Sequence, residues 1–224
     1  MLPDKMFATR RGAMKVNVII DTVCPWCYIG KRRFEQALAL RPDLDVKLAW
    51  RAFLLNSEMP AGGIARNLYL TRKFGSEARI RRIYGAIEEA GQSVEINFAF
   101  DRIARTPNSV DSHRLIRFAE RTGKADAMVE TLFIEYFING RDIGSRPVLL
   151  DFGRKLDLDV EGLRDYLDSE EGVRSIYDEN SRAHRLGVNG VPSFVFNEKM
   201  VISGAQEPQV LASMIDAAIA GDAA

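Results

Sequence analysis

Cys24 and Cys27 are the only cysteines in the 224-residue chain, and Pro25 and Trp26 separate them. That spacing suits thiol–disulfide exchange, which needs one thiolate to attack a foreign disulfide and a second thiol near enough to resolve the mixed disulfide. The apolar, β-branched run 16–21 precedes the pair and a helical pattern over 29–40 follows it. The pair therefore sits where a strand hands over to a helix, with Pro25 in the first helical turn, where its missing N–H costs nothing. Unpaired amides and the helix dipole at such a terminus stabilise a thiolate, so Cys24 is the expected exposed nucleophile. Cys27, one turn further in, is the expected resolving thiol. Zinc would want four ligands, and the two histidines, His113 and His184, stand apart with no second cysteine pair, so no metal is expected. Inert core thiols are the remaining alternative.

The elements that position this pair follow from patterning. A second strand is expected over 46–54, after Arg41-Pro42 stops the helix. Helical spacing then recurs over 65–74, 76–90, 109–122, 125–138, 146–156 and 160–167, and the helical run ends near 169–186. Strands are expected at 194–196 and 200–203, with a closing helix over 208–220. The order is β-α-β, a block of helices, then β-β-α, an α/β chain with a helical insertion.

Composition narrows the partners. Lys plus Arg and Asp plus Glu both number 31, so the net charge is zero and nothing steers the chain toward nucleic acid or an anionic membrane. Lys73, Arg79, Arg81 and Arg82 read as a solvated helix face answered by Glu88 and Glu89, without the interleaved aromatics of a nucleic-acid stripe. No stretch approaches the roughly 20 apolar residues of a membrane helix. Residues 1–13 lack the apolar run of a secretory signal and are expected to be a disordered extension. A chain with no cysteine beyond this pair, and no signal, is expected in the cytoplasm.

The motifs together resemble the thioredoxin superfamily. They are Asp21-Thr22-Val23-Cys24-Pro25-Trp26-Cys27-Tyr28-Ile29-Gly30, Asn108 with Asp111-Ser112-His113-Arg114-Leu115-Ile116, and Gly187-Val188 followed by Gly190-Val191-Pro192-Ser193-Phe194. More narrowly the chain is similar to the DsbA-like branch, whose thioredoxin fold is interrupted by a helical domain. Within that branch it resembles the FrnE-type oxidoreductases, near the 2-hydroxychromene-2-carboxylate isomerases and the kappa-class glutathione transferases. The resemblance spans roughly residues 14–220. It implies a thioredoxin-like domain from 14–61 plus 170–224 and an all-helical domain over 62–169.

The resemblance also implies roles. Pro192 is the expected cis-proline facing the cysteines, and Val191 before it offers its backbone to an extended substrate. Trp26 is either a tuner of the thiols or a surface aromatic against substrate. Asp21 is either a buried proton acceptor for Cys27 or an exposed strand-end cap, a role open to Thr22 as well. His113 either faces the groove between the lobes or is a hydrogen-bonded histidine at a helix start, and His184, flanked by Arg182 and Arg185, reads as solvated. The implied function is disulfide exchange with protein or small-molecule substrates, with no cofactor beyond glutathione as a co-substrate, in a monomer or homodimer. A glutathione-dependent isomerase or transferase and a non-enzymatic chaperone are the alternatives.

Overall fold

The computed structural model describes residues 14–221, so the expected extension over 1–13 lies outside it. In chain order the elements are β1 (Met14–Ile20), α1 (Pro25–Ala39), β2 (Val46–Ala52), β3 (Ile64–Ala65), α2 (Arg66–Phe74), α3 (Glu77–Gln92) and a 3₁₀ turn (Phe100–Arg102). There follow β4 (Arg105–Thr106), α4 (Val110–Glu120), α5 (Ala125–Phe137), α6 (Arg146–Lys155), α7 (Val160–Asp168) and α8 (Val173–Arg185). The chain closes with β5 (Ser193–Phe196), β6 (Met200–Ser203) and α9 (Pro208–Gly221).

The central sheet runs β2-β1-β5-β6, with β1 parallel to β2 and antiparallel to β5. Alternation along β1 divides its side chains between two layers. Val16, Val18 and Ile20 join the core that holds Phe34 of α1 and Leu211 and Ile215 of α9. Ile19 points the other way, into a smaller cluster with Phe53, Val195, Val188 and Ala183 of α8. The larger core continues without a break into the helical insertion through Leu115, Phe133, Phe137, Phe152 and Leu163. The Tyr28 ring, one residue past Cys27, stacks on Phe133 at 5.1 Å between centroids.

The first helix begins at Pro25, in line with its expected place in the first turn, because proline with its fixed φ suits the first helical position. Three differences from the sequence expectations have physical causes. The second strand stops at Ala52 rather than 54, since side chains capture the amides beyond it. Leu54 N–H donates to Asn180 Oδ1 at 2.9 Å and Leu55 N–H to Asp21 Oδ2 at 2.8 Å. The β3–β4 ladder pairs Ile64 with Thr106 and Ala65 with Arg105, and two residues per strand are too few to leave a period in sequence. The basic face of α3 is exposed as expected, but Arg81 pairs with Glu77 at 3.4 Å rather than with Glu88 or Glu89.

Arg114 of α4 is fully buried and ties the insertion together. Its guanidinium donates to the carbonyls of Tyr166, Leu167, Ser169 and Glu171, the exit of α7, and pairs with Asp111 at 2.7 Å. Removing a buried charge from such a set strands every acceptor it served. Arg114→Leu is expected to cost about 3–5 kcal/mol, measured as a lowered urea midpoint, and Arg114→Lys should recover little of it because a single ammonium cannot reach all the carbonyls.

Candidate active site

The chain leaves β1 at Ile20 and turns at once, Cys24 N–H donating to the Asp21 carbonyl at 3.0 Å. Cys24 is the N-cap of α1, and no side chain caps that helix. Cys24 thus stands at the N-terminal end of α1, with Pro25 in the first helical position. The Cys24 thiol also lies 3.7 Å from the Val191 carbonyl oxygen. Cys24 is not openly exposed as expected. It is 5% accessible, because the Val191–Pro192 loop lies against it.

That loop is fixed from several sides. The Val191–Pro192 peptide bond is cis. Gly204 N–H donates to the Pro192 carbonyl at 2.7 Å, and the Ser193 hydroxyl donates to the Gly190 carbonyl at 2.8 Å. The Pro192 ring packs on Gly30 of α1, where a Cβ would come within 2.5 Å of Cγ. Gly30 is thus a site residue that the roles assigned from sequence did not include. Its signal was a glycine one turn beyond Cys27, facing the same way. Around the rim Trp26 is 36% exposed, while Pro25 and Val191 are half-buried.

Cys27 has no exposure at all. Burial pushes its thiol well above the ordinary range, and the neighbouring Cys24 thiol and the charge of Asp21 push the same way. Asp21 is 1% exposed, so it is not an exposed strand-end cap. Its Oδ1 accepts from Val23 N–H at 3.3 Å and its Oδ2 from Leu55 N–H, which holds the carboxylate beneath the motif. Thr22 does not cap the helix either. Its hydroxyl meets that of Ser112 at 2.7 Å, and since Ser112 donates to the Ser109 carbonyl, Thr22 is the donor of the pair.

His113 and Ser112 both come from α4 of the insertion, so the helical block supplies part of the site's floor. His113 is 3% exposed and lies behind the motif rather than on a substrate-facing surface. Its Nε2 is 3.7 Å from Asp21 Oδ1 and has no hydrogen-bond partner among the described residues. The reading of His113 as a hydrogen-bonded helix-start histidine therefore does not describe its Nε2. His184 is exposed as expected, its ring 4.9 Å from that of Phe53. Among the described residues no three His, Cys, Asp or Glu side chains gather to hold a metal ion, and no helix is long and apolar enough to cross a membrane.

A family model described as a DSBA-like thioredoxin domain matches residues 15–216. The chain belongs to that family. A structure described as a probable DsbA oxidoreductase from Streptomyces coelicolor is similar at 27% identity and a TM-score of 0.85, over 92% of this chain and 90% of that one. The cytosolic disulfide reductase DsbM from Pseudomonas aeruginosa, with GSH, is similar at 21% identity and a TM-score of 0.64, over 92% and 98% of the two chains. The uncharacterized protein YwbO of Bacillus subtilis is 23% identical over 207 residues, 89% of this chain and 94% of its own.

Two outcomes are expected from this geometry. Gly30→Ala should drive the Pro192 ring off α1 and uncover Cys24, speeding its alkylation severalfold while leaving the far-ultraviolet spectrum native. A thiol whose pKa is raised by folding gives stability that is complete below its unfolded value, about 8.5, and that falls as pH rises from there through the folded value. The reduced protein should therefore lose denaturation midpoint between pH 8 and pH 10, and Cys27→Ala should flatten that loss.

Proposed function

We propose that this family member is a thiol–disulfide oxidoreductase in which Cys24 attacks substrate and Cys27 resolves the mixed disulfide. The observation that carries the reading is the Cys24 sulfur at the N-cap of α1, 3.7 Å from the Val191 carbonyl, with the fully buried Cys27 one turn below. In reduction, the Cys24 thiolate attacks one sulfur of a substrate disulfide. A bond forms between Cys24 and that sulfur, and the other sulfur leaves as a thiolate with the bonding pair. Cys27 then passes its proton to Asp21 and attacks the Cys24 sulfur. The internal disulfide forms, the second substrate sulfur departs, and two electrons have moved from the protein to the substrate. Oxidation of a dithiol is the same sequence reversed.

The Val191 backbone, Pro192, Pro25 and the exposed Trp26 ring are the proposed docking surface for an extended segment carrying the disulfide, with main chain giving affinity and the aromatic giving area. No cofactor enters these steps. Glutathione is a proposed small co-substrate, in keeping with the GSH held by the similar reductase. A chain whose two cysteines both lie in the exchange motif fits a reducing compartment such as the cytoplasm.

The resolving thiol separates this reading from glutathione-dependent isomerisation, in which a second thiol has no task. Cys27→Ser is expected to accumulate a mixed disulfide between Cys24 and a disulfide peptide, seen by mass spectrometry, with turnover lost. Cys24→Ser should form none. Full turnover by Cys27→Ser would overturn the reading in favour of an isomerase or transferase, and full protection of an aggregating client by Cys24→Ala would favour a chaperone.

A further inference from the structure

The resolving step leaves a proton on Asp21, and Asp21 is sealed. Burial of both Cys27 and Asp21 means that neither can exchange protons directly with solvent at the motif. The floor of the site offers another direction. His113 Nε2 sits 3.7 Å from Asp21 Oδ1, buried and without a hydrogen-bond partner among the described residues. His113 also lines a cavity of about 10 Å³ together with Trp50, Arg51, Arg117 and Glu179. That is close to the room one water needs. The wall carries a second buried polar group without a partner among the described residues, the indole Nε1 of Trp50. Buried polar atoms are nearly always satisfied, and both residues that carry these orphaned groups line a space about the size of one water.

The small cavity adjoins a larger one, with which it shares three lining residues. Arg51, Arg117 and Glu179 line it and also line an open cavity of about 560 Å³ beside α8, which Asn17 and Ile19 of β1 border as well. Asn17 and Ile19 share the side of β1 that faces α8, whereas Val16, Val18 and Ile20 face the core beneath α1 and α9. Glu179 lines both cavities and is held in place by accepting from Ala52 N–H at 2.8 Å and by pairing with Arg117.

We propose that His113 is a positioning residue that acts through Asp21, relaying the proton of Cys27 from the buried carboxylate to the water-sized cavity and so to the open face beside α8. In closure of a mixed disulfide with glutathione, the Cys27 proton moves to Asp21 and the Cys27 sulfur attacks Cys24. The Cys24–Cys27 bond forms, the bond from Cys24 to the glutathione sulfur breaks, and glutathione leaves as a thiolate with the electron pair. Asp21 then yields its proton to Nε2 of the neutral imidazole, and the imidazolium yields one to the cavity water. In the opposite direction the relay delivers a proton to Cys27. The groups that set the charge state of the imidazole are Asp21 above it, Cys27 beyond, Tyr136 of α5 within electrostatic reach of Asp21, Arg51 of β2, Arg117 of its own helix and Glu179 of α8.

The relay rests on the proposed exchange chemistry, and one experiment distinguishes their failures. The full chain is converted to the Cys24–glutathione mixed disulfide with oxidised glutathione and held at pH 4. It is then jumped to values between pH 5.5 and 8.5, and closure is followed by Trp26 fluorescence and by released glutathione. General acid–base groups contribute roughly a hundredfold or more. A relay behind one is expected to contribute about tenfold, so His113→Gln should close about tenfold more slowly and lose the pH arm that belongs to the imidazole. Closure by H113Q at the wild-type rate with the wild-type profile overturns the relay and leaves the exchange reading standing. If oxidised glutathione leaves the wild-type chain a dithiol, with neither a mixed nor an internal disulfide, the exchange reading fails and the relay falls with it. Should H113Q not fold, wild-type protein decides the matter by NMR, with His184→Asn assigning the two imidazoles. The His113 titration midpoint must differ between the dithiol and disulfide forms, and identical midpoints overturn the proposal.

Discussion

A fully buried thiol cannot ionise unless something next to it takes the proton. Cys27 has no solvent contact, and charging a sulfur in a low-dielectric interior is costly without a partner. Much of the site's construction follows from that constraint. In the proposed exchange the base is internal, and Asp21 is the buried carboxylate beside the motif. Asp21 must itself be held, and the amides of Val23 and Leu55 hold it. The Leu55 amide is available because β2 ends at Ala52, and that ending is enforced by Glu179 and Asn180 of α8. A reactive sulfur on α1 thus depends on a helix more than 150 residues further along the chain.

The two cysteines differ in environment although they share a helix turn. Both border the main hydrophobic core, but Cys24 caps α1 against the Val191 carbonyl, whereas Cys27 is wholly enclosed and its burial favours the neutral thiol. The asymmetry is a natural basis for dividing roles between attacker and resolver. It is set by the direction of α1. The helix starts just past the carboxyl end of the central strand β1 and packs on the core, so three residues suffice to pass from rim to interior.

The helical insertion is as much a part of the site as the sheet is. The core runs through both without a boundary, Tyr28 stacks on Phe133, and Thr22 meets Ser112 beneath the motif. Arg114 is adjacent to His113 in α4, and its grip on the exit of α7 anchors the helix that carries Ser112 and His113. Stability of the insertion and geometry of the exchange site are therefore mechanically linked.

The paired thiols, their placement at a strand-to-helix junction and the order of elements were legible in the sequence, because each is a local pattern of residue type, spacing or hydrophobic period. Pro25 marks the start of α1 and the Gly-Val-Pro segment marks the loop ahead of β5. What residues so far apart do to one another was decided only by tertiary structure. Folding covered Cys24 with the Val191 carbonyl, buried Asp21, set Gly30 under Pro192 and turned His113 inward toward the carboxylate. Apart from the glycine one turn beyond Cys27, these contacts leave no local signal, since each joins residues from separate elements whose meeting is fixed by packing. Sequence alone determined which atoms can react; packing decided which are shielded, which are paired, and where a proton can go.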